Sequence, residues 1–308
     1  MTPMTRSPKV NGDISSNSLT NLTKYLKGRL LSEVTEKELW AVKIIEDSRP
    51  SSLREFDQIP MRSLDLLCQA KLIAGNLAHK SIAFVGDHDS TSLLIGLLSM
   101  IGSIPAPKDM LLLDFDERLL TKAEFLAKEY GFGDNLRVQL YNVFDPVPKN
   151  LIEKYDWFYT NPPYGCRNCG ESARLFITRG CQLVKQGNKS FGCIILPDDD
   201  SRAWTSLAML VTQRFILSHG WSVLSKIDEL HQYHLDDDKE LSSSMIIIKR
   251  NKSEKYPKMP YFDRKVEFSE IPNFYGIGVK PPYPRYIHSD RTFNYNWANE
   301  ENYVTKKD

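Results

Sequence analysis

From residue 19 to about residue 80, apolar positions recur at helical spacing with charges between them. LTKYLKGRLLSEVTEKELWAVKIIED reads as helical. A break at SRPSS precedes LREFDQIPMRSLDLLCQAKLIAGNLAHK, whose second half predicts another amphipathic helix. From Ser81 the pattern changes to short apolar runs alternating with amphipathic stretches. SIAFVGD, MLLLDFD, LRVQLYNV, YDWFYTNPP and SFGCIILPD predict five strands. TSLLIGLLSMIG, ERLLTKAEFLAKEYG, ESARLFITRGCQLVKQG and RAWTSLAMLVTQRFILSHG predict helices, two of them closed by Gly131 and Gly220. WSVLSKIDEL and SSSMIIIKR predict two last strands around a polar turn, HQYHLDDDKE. This order predicts an α/β fold: a doubly wound, mostly parallel seven-stranded sheet with helices on both faces and one antiparallel strand from the closing hairpin.

The same pattern divides the chain. Residues 1–18, rich in Ser, Asn, Thr and Pro, read as a disordered lead. Residues 19–80 read as an N-terminal helical region, 81–250 as the α/β domain, and 251–308 as an irregular extension rich in Pro, Tyr and charge. No fixed period recurs, which excludes a solenoid.

Composition narrows the function classes. The 308 residues include 40 basic and 39 acidic ones, a formal charge of +1, so global charge gives no argument for a nucleic-acid partner. The N-terminus lacks the apolar core of a signal peptide, and the longest apolar stretch, Ser92 to Ile104, is too short to span a bilayer. No membrane partner is expected. Five cysteines do not form a disulfide framework, and a cytoplasmic location is the expectation.

In open parallel sheets ligands bind beyond the carboxyl ends of the strands. Those ends are VGDHDST, LDFDER, YNVFDP, TNPPYG and LPDDD, all polar. Gly86 permits close ligand approach at the first turn. There is no G-x-G-x-x-G fingerprint, which weakens a dinucleotide reading. Asp87 and Asp89 put negative charge where a ligand ending in ammonium and sulfonium would lie; the competing structural reading makes Asp89 the N-cap of the next helix. Asp114 is the first choice for the ribose hydroxyls of a nucleoside, with Asp116 as a helix cap instead. Asn142 is a candidate for the adenine edge, with Asp145 second; an Asp-Pro turn at Asp145-Pro146 accounts for that residue equally well. In TNPPYG, Asn161 offers a carbonyl oxygen to a substrate N–H, and Tyr164 a ring for stacking or cation attraction, with Pro162 and Pro163 holding both in place. Asp198, Asp199 and Asp200, with Asp236 and Asp237 in the hairpin turn, are candidates for holding a polycation, against a reading of the turn as a solvated loop.

The strand order resembles the class I S-adenosylmethionine-dependent methyltransferase fold. REFDQ, VGDHDSTSL, LLDFDERLL, YNVFDPVP, YDWFYTNPPYG and the late HQYHLDDD…SSSMIII, in that order over roughly Ser48 to Arg250, look more specifically like the branched-chain polyamine synthases, the bis(aminopropyl)spermidine synthases. The resemblance implies decarboxylated S-adenosylmethionine as donor and a polyamine as acceptor. It also implies that Asp87 and Asp89 match an acidic Gly-Asp-Asp-Asp signature in which His88 replaces an acid. Asn161 then stands where the family has aspartate. A cationic acceptor favours carboxylates, whereas Asn161 suits a neutral amine at least as well.

Three functions follow. The first is aminopropyl transfer to spermidine or a related polyamine, with Asn161 and Tyr164 orienting the acceptor. The second is methylation of an exocyclic amine in DNA or RNA from intact S-adenosylmethionine. The third is a degenerate transferase turned binding module, in which the helices before Lys80 serve partner binding or formation of a homodimer. Cys166-x-x-Cys169 has no partner motif for zinc, so no metal is expected.

Overall fold

Five short apolar runs set side by side make the parallel part of one sheet. In the computed structural model, residues 16–52, 57–164, 167–187, 189–234, 240–251 and 256–274 are described. The strands are β1 (Ser81–Val85), β2 (Asp109–Asp114), β3 (Leu136–Leu140), β4 (Trp157–Thr160), β5 (Phe191–Pro197), β6 (Trp221–His234) and β7 (Glu240–Arg250). Their order is β3-β2-β1-β4-β5-β7-β6. β1 to β5 pair in parallel, while β7 is antiparallel to both β5 and β6. This is the doubly wound, mostly parallel seven-stranded sheet that the alternation predicts. Strand order reverses between β1 and β4, and that crevice is where a ligand is expected.

One element differs from the sequence reading. HQYH belongs to β6 and not to the turn, so the connection to β7 is shorter than HQYHLDDDKE. Register shifts between Val223 and Ser225 and between Ile227 and His231 break the alternation that would have marked these residues as strand.

The helices are α1 (Ser16–Ser32), α2 (Glu36–Ser48), α3 (Ser63–Ala74), α4 (Thr91–Met100), α5 (Glu117–Glu129), α6 (Glu171–Leu183) and α7 (Ala203–Ser218). α1 starts at Ser16, inside the stretch expected to be disordered. The N-terminal helical stretch divides at Thr35, where a capping box closes: Thr35 Oγ1 accepts from the Glu38 amide at 3.3 Å and Glu38 Oε2 from the Thr35 amide at 2.8 Å.

Side chains alternate between the two faces of the sheet. Ile82, Phe84, Met110, Leu112, Tyr159 and Ile195 pack with α2 to α5 on one face. Ala83, Val85, Leu111, Leu113, Phe158 and Ile194 pack with α6 and α7 on the other. Ala41, Val42 and Ile45 of α2 and Leu66, Leu67 and Ile73 of α3 belong to the first of these cores, so the N-terminal helices share a core with the sheet. After β7, Val266, Ile271 and Phe274 pack against Phe144 and Leu175, and buried Arg179 holds that segment by donating to the Tyr261 and Arg264 carbonyls at 2.5 and 3.0 Å. Among the described residues, no helix is long and apolar enough to cross a membrane.

Candidate active site

The carboxyl ends of β1 and β2 bring buried acids together. At Gly86 the chain turns with φ 69°, and a Cβ there would lie 2.7 Å from Phe176 Cε1, so glycine is required on both counts. Asp87 follows, and its two oxygens accept the Thr91 and Ser92 amides at 2.9 and 2.8 Å. The carboxylate at the start of α4 is therefore Asp87. The competing reading of Asp89 as that N-cap is corrected: Ser90 sits there in a left-handed conformation, φ 64°, and makes no side-chain cap. Asp89 turns instead to the Met61 amide, 2.7 Å away, and to Asn161.

Asp114, the last residue of β2, accepts the Asp87 amide at 2.8 Å and the Asp116 amide at 2.9 Å. Burial, with the Asp89 carboxylate nearby, pushes the Asp87 carboxyl up to about 7. Burial and the charge of Asp116 do the same to Asp114, also to about 7. Asp116 is the N-cap of α5, accepting the Arg118 amide at 3.1 Å, and is neutralised by the Arg118 guanidinium at 2.7 Å. No ion pair joins Asp87, Asp89 or Asp114 to a lysine or arginine among the described residues.

Asn161 begins the turn after β4, and Thr160 before it is tied to β1 through a 2.8 Å bond to the Val85 carbonyl. The Asn161 amide nitrogen donates to Asp89 Oδ2 and to the Tyr233 hydroxyl at 3.1 Å. Its carbonyl oxygen faces the Tyr164 hydroxyl at 3.2 Å, and the two phenols lie 2.9 Å apart. The Tyr164 and Tyr233 rings meet edge to face, centroids 6.1 Å apart. Burial pushes both phenols up, so they act as neutral hydroxyls. Behind them Ser243 Oγ lies 3.3 Å from the Tyr233 hydroxyl and 3.0 Å from His231 Nδ1. Pro162 is buried and Pro163 half-buried at the mouth of β4.

The other candidates are spread around this centre. Asn142 accepts the Phe144 amide at 3.0 Å through its side chain, and its carbonyl accepts the Asp145 amide at 2.9 Å; together they form a turn beyond β3. Asp198 pairs with Lys226 at 2.8 Å and with the Ser244 hydroxyl. Asp199 accepts the Ser201 amide at 2.9 Å and meets Arg202 at 3.3 Å. Both are thus matched by cations of the chain itself, and Asp200 is exposed. Asp236 and Asp237 lie outside the described residues, as do Cys166 and much of REFDQ. His88 Nε2 lies 3.2 Å from Ser52 Oγ, and burial pushes the imidazole down toward its neutral form. No group of three or more His, Cys, Asp or Glu is placed to hold a metal among the described residues.

Sequence reasoning missed Tyr233, Ser243 and Met61, which complete the surroundings of Asn161 and Asp89, and it read His231 as part of the polar turn HQYHLDDDKE. It also missed Glu229, raised by burial and then by the charges of Asp200, Asp198 and Asp199. The one available signal was Tyr233 two residues after His231 in HQYH, on the same face of a strand; His231 is the residue that pairs across to Ser243.

Comparison with known proteins gives a consistent result. A family model described as the branched-chain polyamine synthase A C-terminal domain matches residues 38–270. The N(4)-bis(aminopropyl)spermidine synthase of Thermococcus kodakarensis is 30% identical over 145 residues, 46% of this chain and 38% of that protein. An uncharacterized protein of Methanocaldococcus jannaschii is 29% identical over 205 residues, 65% of this chain and 49% of its own length. The chain thus matches about half or less of the length of these curated relatives. Among solved structures, the branched-chain polyamine synthase of Thermus thermophilus, in complex with N4-aminopropylspermidine and 5'-methylthioadenosine, superposes with a TM-score of 0.57 at 20% identity. The match covers 72% of this chain and 68% of that one, and it shows a shared fold.

Proposed function

The chain belongs to the branched-chain polyamine synthase family, and from that premise we propose that it transfers an aminopropyl group from decarboxylated S-adenosylmethionine to a nitrogen of a polyamine such as spermidine. The observation that carries this reading is the buried acidic centre at the switch point: Asp87, Asp89 and Asp114 lie together with no lysine or arginine paired to them among the described residues. Carboxyls held near 7 by burial ionise readily when a cation arrives, so the site favours a sulfonium and an ammonium over a pyrophosphate. The decarboxylated donor lacks the carboxylate that these acids would repel.

In this reaction a neutral amine nitrogen attacks the propyl carbon attached to sulfur. The C–N bond forms as the C–S bond breaks, and the sulfur leaves as the neutral thioether of 5'-methylthioadenosine. The new ammonium then releases a proton to solvent. Positioning supplies much of the rate, since the leaving group is already activated. Asp114 would take the ribose hydroxyls, with Asp87 and Gly86 beside the donor and Asn142 near its base. The Asn161 carbonyl would accept an N–H of the attacking amine, with Tyr164, Pro162 and Pro163 shaping that side. Asp200 is the candidate for the far end of the polycation, since Asp198 and Asp199 already pair with Lys226 and Arg202; Asp236 and Asp237 are candidates from sequence alone.

Incubation with decarboxylated S-adenosylmethionine and spermidine, followed by mass spectrometry, tests the proposal. The expected products are aminopropylated spermidine and an equal amount of 5'-methylthioadenosine. Methylation of a nucleic-acid amine from intact S-adenosylmethionine, with spermidine left unmodified, would replace this reading by the second one. Binding of the donor with no product from either route would favour a binding module.

A further inference from the structure

His231 does not touch Asn161, yet hydrogen accounting makes it the origin of the bonds that orient it. Its ring is fully buried, with Nδ1 3.0 Å from Ser243 Oγ and Nε2 without a partner among the described residues. A buried N–H left unbonded costs more than an unused lone pair, so the proton belongs on Nδ1 and Nε2 is bare. Nδ1–H then donates to Ser243, whose own hydroxyl is free to donate to Tyr233, 3.3 Å away. The Tyr233 oxygen also receives one hydrogen of the Asn161 amide at 3.1 Å, which fills both of its lone pairs. Its hydrogen therefore points to the Tyr164 hydroxyl at 2.9 Å, and the Tyr164 hydrogen to Asn161 Oδ1 at 3.2 Å.

With the other tautomer the chain reverses. Ser243 would donate to the ring, Tyr233 to Ser243, and Tyr164 to Tyr233, leaving Asn161 Oδ1 without its donor and a buried Nε2–H with no acceptor.

We propose that His231 is a positioning residue: through Ser243, Tyr233 and Tyr164 it fixes the Asn161 amide with its nitrogen toward Asp89 and its carbonyl toward the substrate side. Both hydrogens of the Asn161 amide are consumed, one by Asp89 and one by Tyr233. The group offers the substrate only the second lone pair of Oδ1. The same wiring explains how asparagine is accommodated here: an aspartate at this position would set two carboxylates against each other, whereas the amide donates to Asp89.

The activity arm of this inference rests on the aminopropyl transfer proposed above; the tautomer arm does not. Nitrogen-15 spectra of histidine-labelled protein, assigned by comparison with His231→Asn, read the tautomer without any turnover. A proton on Nδ1 with a bare Nε2 is expected, and a proton on Nε2 would overturn the wiring. In the activity arm, His231→Leu and Ser243→Ala are expected to raise the KM for the amine acceptor about ten-fold, with the KM for the donor unchanged. His231→Asn, which restores a donor at the Nδ1 position, should recover most of that loss. Thermal unfolding of each variant separates loss of fold from loss of wiring. Equal acceptor KM in wild type, His231→Leu and Ser243→Ala, all folded, would overturn the positioning role. If the wild type forms no aminopropylated product, the transfer reading fails while the tautomer result still decides the wiring.

Discussion

The two ends of the sheet treat the same side chain in opposite ways. At the amino end, Asp156 precedes β4 and is bonded to the Ser81 amide and hydroxyl, both at 2.9 Å, and to Lys185 at 2.8 Å. Burial alone would raise its carboxyl, but the Lys185 and Ser81 bonds outweigh it and hold the group below the usual range. At the carboxyl end, Asp87 and Asp114 have backbone amides for partners and no cation among the described residues, and burial carries both up to about 7. Glu38 repeats the first pattern among the helices. Burial is outweighed there by Ser103, Lys71 at 2.9 Å and the Thr35 cap, bringing the carboxyl down to about 2. Paired acids stitch the fold together. Under the proposed reading, the unpaired ones are a reserve of negative charge for a ligand, as a site for a sulfonium and an amine requires.

Breaking this contrast should give effects of graded size. Asp87→Asn removes charge at the proposed donor site and is expected to lower the rate of product formation by about 1,000-fold, about 4 kcal/mol, in initial-rate assays. Asp156→Asn, at the other end of the same strands, should leave the rate within about two-fold. A loss of rate from Asp156→Asn as large as that from Asp87→Asn would erase the distinction between the ends. Next in size is Glu38→Ala, which strands Lys71 and breaks the capping box. Chemical denaturation should show a loss of about 3 kcal/mol.

Proton linkage sharpens the comparison. A carboxyl with a folded pKa of about 7 and an unfolded value near 3.8 holds its proton in the folded state over a range where the unfolded chain has released it. Stability from that group is therefore lost as pH rises toward and through 7. Asp114→Asn removes the penalty, so its melting temperature relative to wild type should rise between about pH 5 and about pH 8, by about 3 °C or more. His231 has the opposite sign, because burial pushes it down to about 3 and penalises the folded state as pH falls below its usual range. It cancels in the difference between variant and wild type. A difference that is flat with pH would mean Asp114 is already ionised. The smallest effect is on stability from Asp156→Asn, about 1 kcal/mol by thermal or denaturant unfolding.

The succession of strands and helices was legible because it depends on local signals: apolar runs such as MLLLD and the polar residues that end them. Asp116 as a cap was legible for the same reason, since its partner Arg118 is two residues away. The exchange of roles between Asp87 and Asp89 was not, because it turns on a left-handed conformation at Ser90 that a serine does not announce. The neighbours of Asn161 were hidden further. Tyr233 and Ser243 reach it only through the pairing of β6 with β7, and two register shifts in β6 erase the alternation that would have aligned them. Met61 reaches Asp89 from a segment that precedes the sheet altogether. Asp198 and Asp199 looked free in LPDDD because Lys226 and Arg202, which neutralise them, are matched to them only by the fold.

Calorimetric titration of the purified protein with decarboxylated and with intact S-adenosylmethionine tests the central claim most directly, because the two donors differ by one carboxylate. An unpaired acidic centre predicts that the decarboxylated donor binds at least about ten-fold more tightly, a difference of about 1.4 kcal/mol. Equal affinity, or tighter binding of the intact donor, would contradict it.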